Sequence, residues 1–248
     1  MPAPLQQPAG RHSILPLFPL LASHNPSTRL DAALHLVHAL PQHQGPAAHA
    51  NDADTPYALK RLVAGLASSN DAARQGFAVA LTQLVALLPA DSPQARNILA
   101  QVFDQTTPKQ GADPREERDL YFARLMGLHA LVRSGVLVRP GPDSTQDRWQ
   151  ECLGGLVSLA NKKTWIREPS YWVVCDALQA LCDAPDSLEW KHAALEWAVQ
   201  RLVGDSREKA RGFSPEKVAV VLVLQANNVV RPPLPLPLLL FPSPRSPP

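Results

Sequence analysis

Aromatic side chains are scarce in this chain of 248 residues: phenylalanine, tyrosine and tryptophan together make up 6% of it. With 45% of residues hydrophobic, the core must be aliphatic, built from alanine, leucine and valine. An excess of either charge is also lacking. The formal net charge is +2, so no global field steers the chain to nucleic acid or to an anionic membrane, and any such contact needs a local basic patch. Cysteine is rare. Cys152, Cys175 and Cys182 cannot all pair, and their spacing is neither a zinc ribbon nor a CxxC motif. They read as small buried thiols in a reducing compartment. Long apolar runs are missing too. Ile14 to Ala22 is broken by Pro16 and Pro19 and makes a poor signal peptide. Val229 to Phe241 is too short and carries four prolines, so it cannot span a bilayer as a helix. These absences predict a soluble, intracellular chain without a membrane partner.

What is present is a recurring helix start. Asn25-Pro26, Thr55-Pro56, Ser92-Pro93, Asp113-Pro114 and Ser214-Pro215 each place a capping side chain before a proline. The cap oxygen accepts a first-turn N–H, and proline loses nothing at a position whose N–H would have no partner. Helical periodicity follows each pair. Leu30, Ala33, Leu34 and Val37 fall on one predicted face, as do Leu59, Leu62, Val63 and Leu66. Ala73, Phe77, Ala80, Leu81, Leu84 and Leu88 make a longer stripe, followed by Leu99, Val102 and Phe103. Tyr121, Leu125, Leu128 and Val132 mark a helix that stops at Gly135, a C′ glycine. Further helices are predicted near 146–160, 168–183, 187–203 and 215–226. Val218 to Leu224 is β-branched enough for a strand, but the Ser214-Pro215-Glu216 start makes helix the reading.

The predicted class is therefore all-α: a HEAT/armadillo-like helical-repeat solenoid, with a compact helical bundle as the second choice. Residues 1–12 are expected to be disordered, 13–226 to form the helical domain, and 227–248 to be a disordered proline-rich tail. Loops at 41–54, 104–114 and 139–147 are longer and rich in Pro, Gly, Asp and Gln, and belong on the surface.

Side chains able to carry chemistry occur without the company that chemistry needs. Asp52 and Asp54 form a D-x-D, but in a loop before a helix start and with no third carboxylate at a recognisable spacing. A solvated loop whose charge favours the helix N-terminus accounts for them. His35 and His38 share a helix face without a completing ligand, and His129 and His192 stand alone. No G-x-S-x-G elbow, phosphate-binding G-x-x-x-x-G-K-[ST] loop or G-x-G-x-x-G occurs. Gly154-Gly155, inside a helical pattern, reads as a place of close helix packing. The expectation is no enzyme, no cofactor and no metal. Basic residues gather at Lys60-Arg61, at Lys162-Lys163 with Arg167, and at Arg201, Arg207, Lys209, Arg211 and Lys217. Lys60, Arg61, Lys162, Lys163 and Arg167 are the candidate partner or nucleic-acid contacts, against the alternative of a solvated face balanced by acids. Trp149, Trp165, Trp172, Trp190 and Trp197 read as inter-helix packing. The run Arg115-Glu116-Glu117-Arg118-Asp119 is a salt-bridged surface or a docking face.

Taken together, several blocks resemble a known family. Tyr57-Ala58-Leu59-Lys60-Arg61-Leu62-Val63-Ala64-Gly65-Leu66-Ala67-Ser68-Ser69, continued by Ala72-Ala73-Arg74-Gln75-Gly76-Phe77-Ala78-Val79-Ala80-Leu81-Thr82, is similar to a block near the N-terminus of the DNA polymerase V / Myb-binding protein 1A (DNA polymerase phi) family. Upstream, Leu21-Ala22-Ser23 and Thr28 to Ala33 resemble its opening helix. Downstream come Arg115 to Asp119 with Phe122 to Leu128, then Lys162 to Pro169, then Ser214 to Lys217. The resemblance covers roughly residues 15–226 and is that of an N-terminal fragment, because family members are several times longer, with an acidic stretch and a basic tail. It implies a nucleolar helical scaffold in ribosomal RNA gene transcription and ribosome biogenesis. Its partners would be nucleolar and transcription proteins and, through local basic patches, rDNA. The family name suggests a DNA polymerase as one alternative; a cytoplasmic α-solenoid adaptor is another. The abrupt tail after Ala226 reads as an altered gene model.

Overall fold

A computed structural model describes residues 14–40, 53–141, 144–204 and 214–230. Ten α-helices occupy them. They are α1 (Leu17–Leu21), α2 (Pro26–His38), α3 (Asp54–Gly65), α4 (Asp71–Leu87), α5 (Pro93–Gln105), α6 (Pro114–Arg133), α7 (Gln146–Ala160), α8 (Thr164–Cys182), α9 (Lys191–Val203) and α10 (Pro215–Ala226). Among the described residues there is no strand, and Val218 to Leu224 is helical. The class is the all-α, helical-repeat one expected. Of the expected tail, residues 231–248 lie outside the described residues, as do residues 1–13 at the other end.

Four of the five proline-linked starts are built as the capping chemistry requires. The side chains of Asn25, Ser92, Asp113 and Ser214 accept from Ser27 N (2.9 Å), Ala95 N (3.1 Å), Arg115 N (3.0 Å) and Lys217 N (3.4 Å). Asn70 and Thr145 cap α4 and α7 in the same way without a proline to announce them. The fifth start differs. Ala53 is the N-cap of α3, and Thr55 is a buried residue of its first turn. Pro56 still lies within that turn, where N–H groups have no intrahelical acceptor, so it is tolerated for the expected reason at a shifted register. A second shift occurs at α8, which begins at Thr164 and carries Pro169 inside. The proline removes one rung of the hydrogen-bond ladder. Burial of Ile166, Ser170, Val173, Val174 and Ala177 on either side of it holds the helix through. Gly135, at φ +72°, ends α6 in the left-handed conformation.

The chain divides into two compact units, the first holding α1 to α6 and the second α7 to α10. In the first unit α4 packs between α2 and α6, while α3 packs on α5 and against α4. Even-numbered helices thus form one layer and odd-numbered helices the other. The second unit repeats the plan, with α8 beside α10, α7 beside α9, and α7 against α8. Each unit is a stack of helix pairs, each helix burying one face. At the start of the first unit α1 meets both α2 and α4. The approach depends on Gly76, because a Cβ there would sit 2.0 Å from the carbonyl oxygen of Leu21.

Most predicted core positions are buried, among them Leu59, Leu62, Val63 and Leu66 on α3 and Tyr121, Leu125, Leu128 and Val132 on α6. Helix α2 is an exception. It buries Ala32, Ala33, Leu36 and Val37, while Leu30 and Leu34 are 53% and 45% exposed. Its apolar residues cover more than one face, and periodicity alone does not say which face meets the core. Gly154 also departs from expectation: a Cβ there would meet nothing within 4 Å, so no neighbouring helix presses on it.

Candidate functional site

The sequence blocks that carry the family resemblance converge in the first unit on one buried arginine. Arg74, in the second turn of α4, is 7% exposed. Its Nη1 donates to the carbonyl of Ser68 at 2.6 Å, and its Nη2 donates to Asp71. Asp119, from the charged run opening α6, lies 3.5 Å from Nη1, and the ring of Phe122 lies 4.8 Å beneath the guanidinium. Ser68 and Arg74 come from one motif block and Asp119 and Phe122 from the next, so those motifs describe how α3, α4 and α6 are joined. Burial lowers the Arg74 pKa, and Asp119 opposes that shift. The guanidinium stays charged and needs its carboxylates. The charged run that looked like a solvated face therefore gives one member to the interior. It gives another to Tyr121, whose hydroxyl donates to Glu117 at 2.6 Å and is pushed up to about 12, first by burial and then by that bond. Arg124 makes a similar clasp, donating to Thr106 Oγ1 (3.1 Å), Phe103 O (3.2 Å) and Thr107 Oγ1 (2.7 Å).

The five candidate basic contacts are all exposed, and they fall in two places. Lys60 and Arg61 lie on α3 in the first unit, where the Arg61 guanidinium sits 5.4 Å over the Phe18 ring. Lys162, Lys163 and Arg167 lie at the α7–α8 turn of the second unit. Arg167 acts on Glu216 at the start of α10, whose pKa is lowered first by a bond with Ser214 and also by this charge. Of the further basic group, Arg207, Lys209 and Arg211 lie outside the described residues. So does Asp52 of the D-x-D, whereas Asp54 is the first-turn acid of α3. His35 and His38 occupy the last turn of α2. Among the described residues no group of three His, Cys, Asp or Glu side chains is placed to hold a metal ion. All three cysteines are free thiols. Burial pushes Cys152 up to about 12 and Cys175 up to about 11, and raises Cys182.

The tryptophans split. Trp149 is buried edge-on against Trp197 at 6.3 Å, and Trp190 Nε1 donates to the carbonyl of Ser144 at 2.9 Å. Trp165 and Trp172 are instead 43% and 73% exposed, so the packing role expected of all five holds for three. They stand seven residues apart on α8, hence on one face. The second unit also has an open cleft of about 540 Å³ between α9 and the end of α10. Buried Lys191 lies at its wall, its ammonium donating to Ala184 O (2.6 Å) and Asp186 Oδ1 (3.1 Å). That cation closes the C-terminal end of α8, where carbonyls would otherwise lack donors.

Large exposed apolar side chains on helices α2 to α10 are Leu30 and Leu34 on α2, Val79 and Leu87 on α4, Trp165 and Trp172 on α8, and Leu222 on α10. Leu20 on α1 is exposed as well, whereas α3, α5, α7 and α9 present none. In the first unit Leu30, Leu34, Val79 and Leu87 stand together on the packed helices α2 and α4, whereas exposed leucines scattered singly need no explanation.

The chain is 33% identical over 160 residues to the rDNA transcriptional regulator pol5 of Schizosaccharomyces pombe, covering 64% of this chain and 15% of that protein. It is 28% identical over 184 residues to rDNA transcriptional regulator POL5 of Saccharomyces cerevisiae, 66% of this chain and 18% of the relative. Myb-binding protein 1A of Mus musculus is 38% identical over 92 residues, 36% of this chain and 6% of that protein. The chain thus spans less than a fifth of the length of these relatives. The relatives are named as regulators and a binding protein, not as enzymes. No solved structure matches the chain. The family model described as DNA polymerase phi matches residues 57–240, running past Ala226 into the proline-rich segment that the motif resemblance left out. The chain belongs to the DNA polymerase phi family.

Proposed function

We propose that this chain is the helical scaffold part of a nuclear, nucleolar regulator of ribosomal RNA gene transcription and ribosome biogenesis. It acts by holding nucleolar and transcription proteins on exposed helix faces such as the apolar one that α2 and α4 present in the first unit. Lys60, Arg61, Lys162, Lys163 and Arg167 supply the local basic patches for rDNA. The observation that carries this reading is that two yeast relatives, each aligned over about two thirds of this chain, are named as rDNA transcriptional regulators. The buried Arg74 and Lys191 clasps support it from the physical side. They spend their charge on joining helices and leave the binding work to surface side chains.

The test is to tag the protein at its N-terminus at the native locus and measure its nucleolar position together with its occupancy of rDNA. Nucleolar signal with rDNA enrichment is expected. A diffuse cytoplasmic signal without enrichment overturns the reading in favour of an adaptor elsewhere. Metal-dependent primer extension by the purified protein, lost on both Asp52→Ala and Asp54→Ala, overturns it in favour of a polymerase.

A further inference from the structure

We infer that the exposed face of the α2–α4–α6 layer is a docking site for a short amphipathic helix of a partner protein, one with apolar anchors flanked by acidic residues. Two shallow grooves flank α4. The first, of about 210 Å³, lies between α2 and α4 and is lined by Arg29, Leu30 and Val79 among others. The second, of about 230 Å³, lies between α4 and α6 and is lined by Val79, Met126 and Arg133 among others. Val79, 41% exposed, borders both and forms the ridge between them.

The dimensions suit a helix laid across the layer. Neighbouring packed helices stand about 8–10 Å apart, so the two grooves are separated by about that distance. Seven residues of a helix rise by about 10.5 Å. An apolar residue i seated in the α2–α4 groove then places residue i+7 in the α4–α6 groove, with i+3 or i+4 over Val79. That is the anchor spacing of an amphipathic helix in a hydrophobic groove.

Charge selects the flanks. Neither groove lining contains an aspartate or glutamate, and each contains an arginine. Arg29 is held at its edge by neutral acceptors only: Ser23 O (2.8 Å), His24 O (3.1 Å) and Gln75 Oε1 (3.1 Å). Its position is fixed while its charge is left uncancelled. Arg133 stands exposed at the opposite edge, on the last turn of α6. A partner helix with Asp or Glu outside its two end anchors meets a cation at both ends. Nucleic acid is the poorer fit, because a phosphate chain needs cations along its path and the middle of this face is apolar. The site concerns one protein contact within the scaffold reading and stands whether or not the chain acts at rDNA.

The experiment is selection from a displayed library of helical peptides with leucines at i, i+4 and i+7 and random flanks, against the full chain. The counter-screen is Val79→Glu, which alters an exposed side chain. Enrichment of peptides with acidic flanks, each bound at least tenfold more weakly by Val79→Glu at unchanged melting temperature, is expected. Arg133→Glu should shift the enriched flanks from acidic toward neutral or basic. No enrichment, enrichment of basic flanks on the unaltered chain, or binding indifferent to Val79→Glu overturns the inference. So does tighter binding of single-stranded RNA or duplex DNA that Val79→Glu abolishes.

Discussion

The same substitution, glycine to alanine inside a helix, should have opposite signs at Gly76 and Gly154. Taken alone, the change favours a helix by about 1 kcal/mol, because alanine loses less backbone freedom on folding. At Gly154, in the middle of α7, nothing would meet the new Cβ within 4 Å. The intrinsic gain is then realised, and Gly154→Ala should stabilise by about 0.5–1 kcal/mol. At Gly76 the Cβ would lie 2.0 Å from the Leu21 oxygen and 3.0 Å from its carbonyl carbon. The obstacle is backbone at the end of α1, and it cannot turn aside as a side chain would. Relief requires α1 to move by more than an ångström from both α2 and α4. Overpacking costs about 1–3 kcal/mol, and a backbone obstacle places this case at or beyond the top of that range. After subtracting the helix gain, Gly76→Ala should destabilise by about 2 kcal/mol. The two variants should therefore differ by about 3 kcal/mol.

Urea unfolding followed by circular dichroism would measure both values. Amide exchange would locate them, faster in α1 and α4 for Gly76→Ala and slower in α7 for Gly154→Ala. A neutral or stabilising Gly76→Ala would refute the packing of α1 on α4. A destabilising Gly154→Ala would mean that this face of α7 is covered.

Other changes test the polar and aromatic contacts. Asp119→Ala should cost about 2–4 kcal/mol because it leaves buried Arg74 short of a carboxylate, while Asp71→Ala, on an 81% exposed side chain, should cost less than about 1 kcal/mol; equal costs in urea melts would refute the ranking. Ser214→Ala should cost about 1 kcal/mol, seen as faster amide exchange confined to the first turn of α10. Trp149→Ala should cost about 3–5 kcal/mol and Trp172→Ala almost nothing, with the fluorescence of Trp172 alone fully open to quenching by acrylamide. Stability should fall at alkaline pH. Tyr121 and Cys152 are raised to about 12 and Cys175 to about 11, so the unfolded chain loses these protons first. Their contribution is full below the ordinary thiol and phenol pKa values of about 9–10 and is lost as pH rises toward 12; a stability flat over that window, measured by urea titration, would refute the burial of these groups.

Much of the fold was legible because capping is local chemistry. A side-chain oxygen and a proline within two residues report a helix start whatever the rest of the chain does, and Asn25, Ser92, Asp113 and Ser214 do so. The two misplaced starts mark the limit of local reasoning. Pro56 was taken as the first residue inside its helix, and the helix holding Pro169 was expected near 168–183, yet both prolines lie further in. The preceding turns are set by burial of Thr55 and Ile166, a tertiary effect that no short window records. The Arg74 clasp was visible only as two separate motif blocks, because Ser68 and Arg74 lie far along the chain from Asp119 and Phe122 and meet them only after α4 has packed on α6. Periodicity cannot pair residues across helices.

The error at Leu30 and Leu34 leads in a different direction. A helix with one apolar face buries it, and its polar face needs no partner. Helix α2 has apolar residues on the face it buries and again at Leu30 and Leu34, and α8 does the same with Val173, Val174 and Leu178 inside and Trp165 and Trp172 outside. Such a helix cannot satisfy both faces within one two-layer unit. Helices α3, α5, α7 and α9 expose no large apolar side chain. Each exposed leucine or tryptophan raises the risk of non-specific association, so folding alone gives no reason to group them on a second face. In the α2 stripe that periodicity assigned to the core, Ala33 and Val37 do face it, while Leu30 and Leu34 form the apolar edge that the inferred docking site uses.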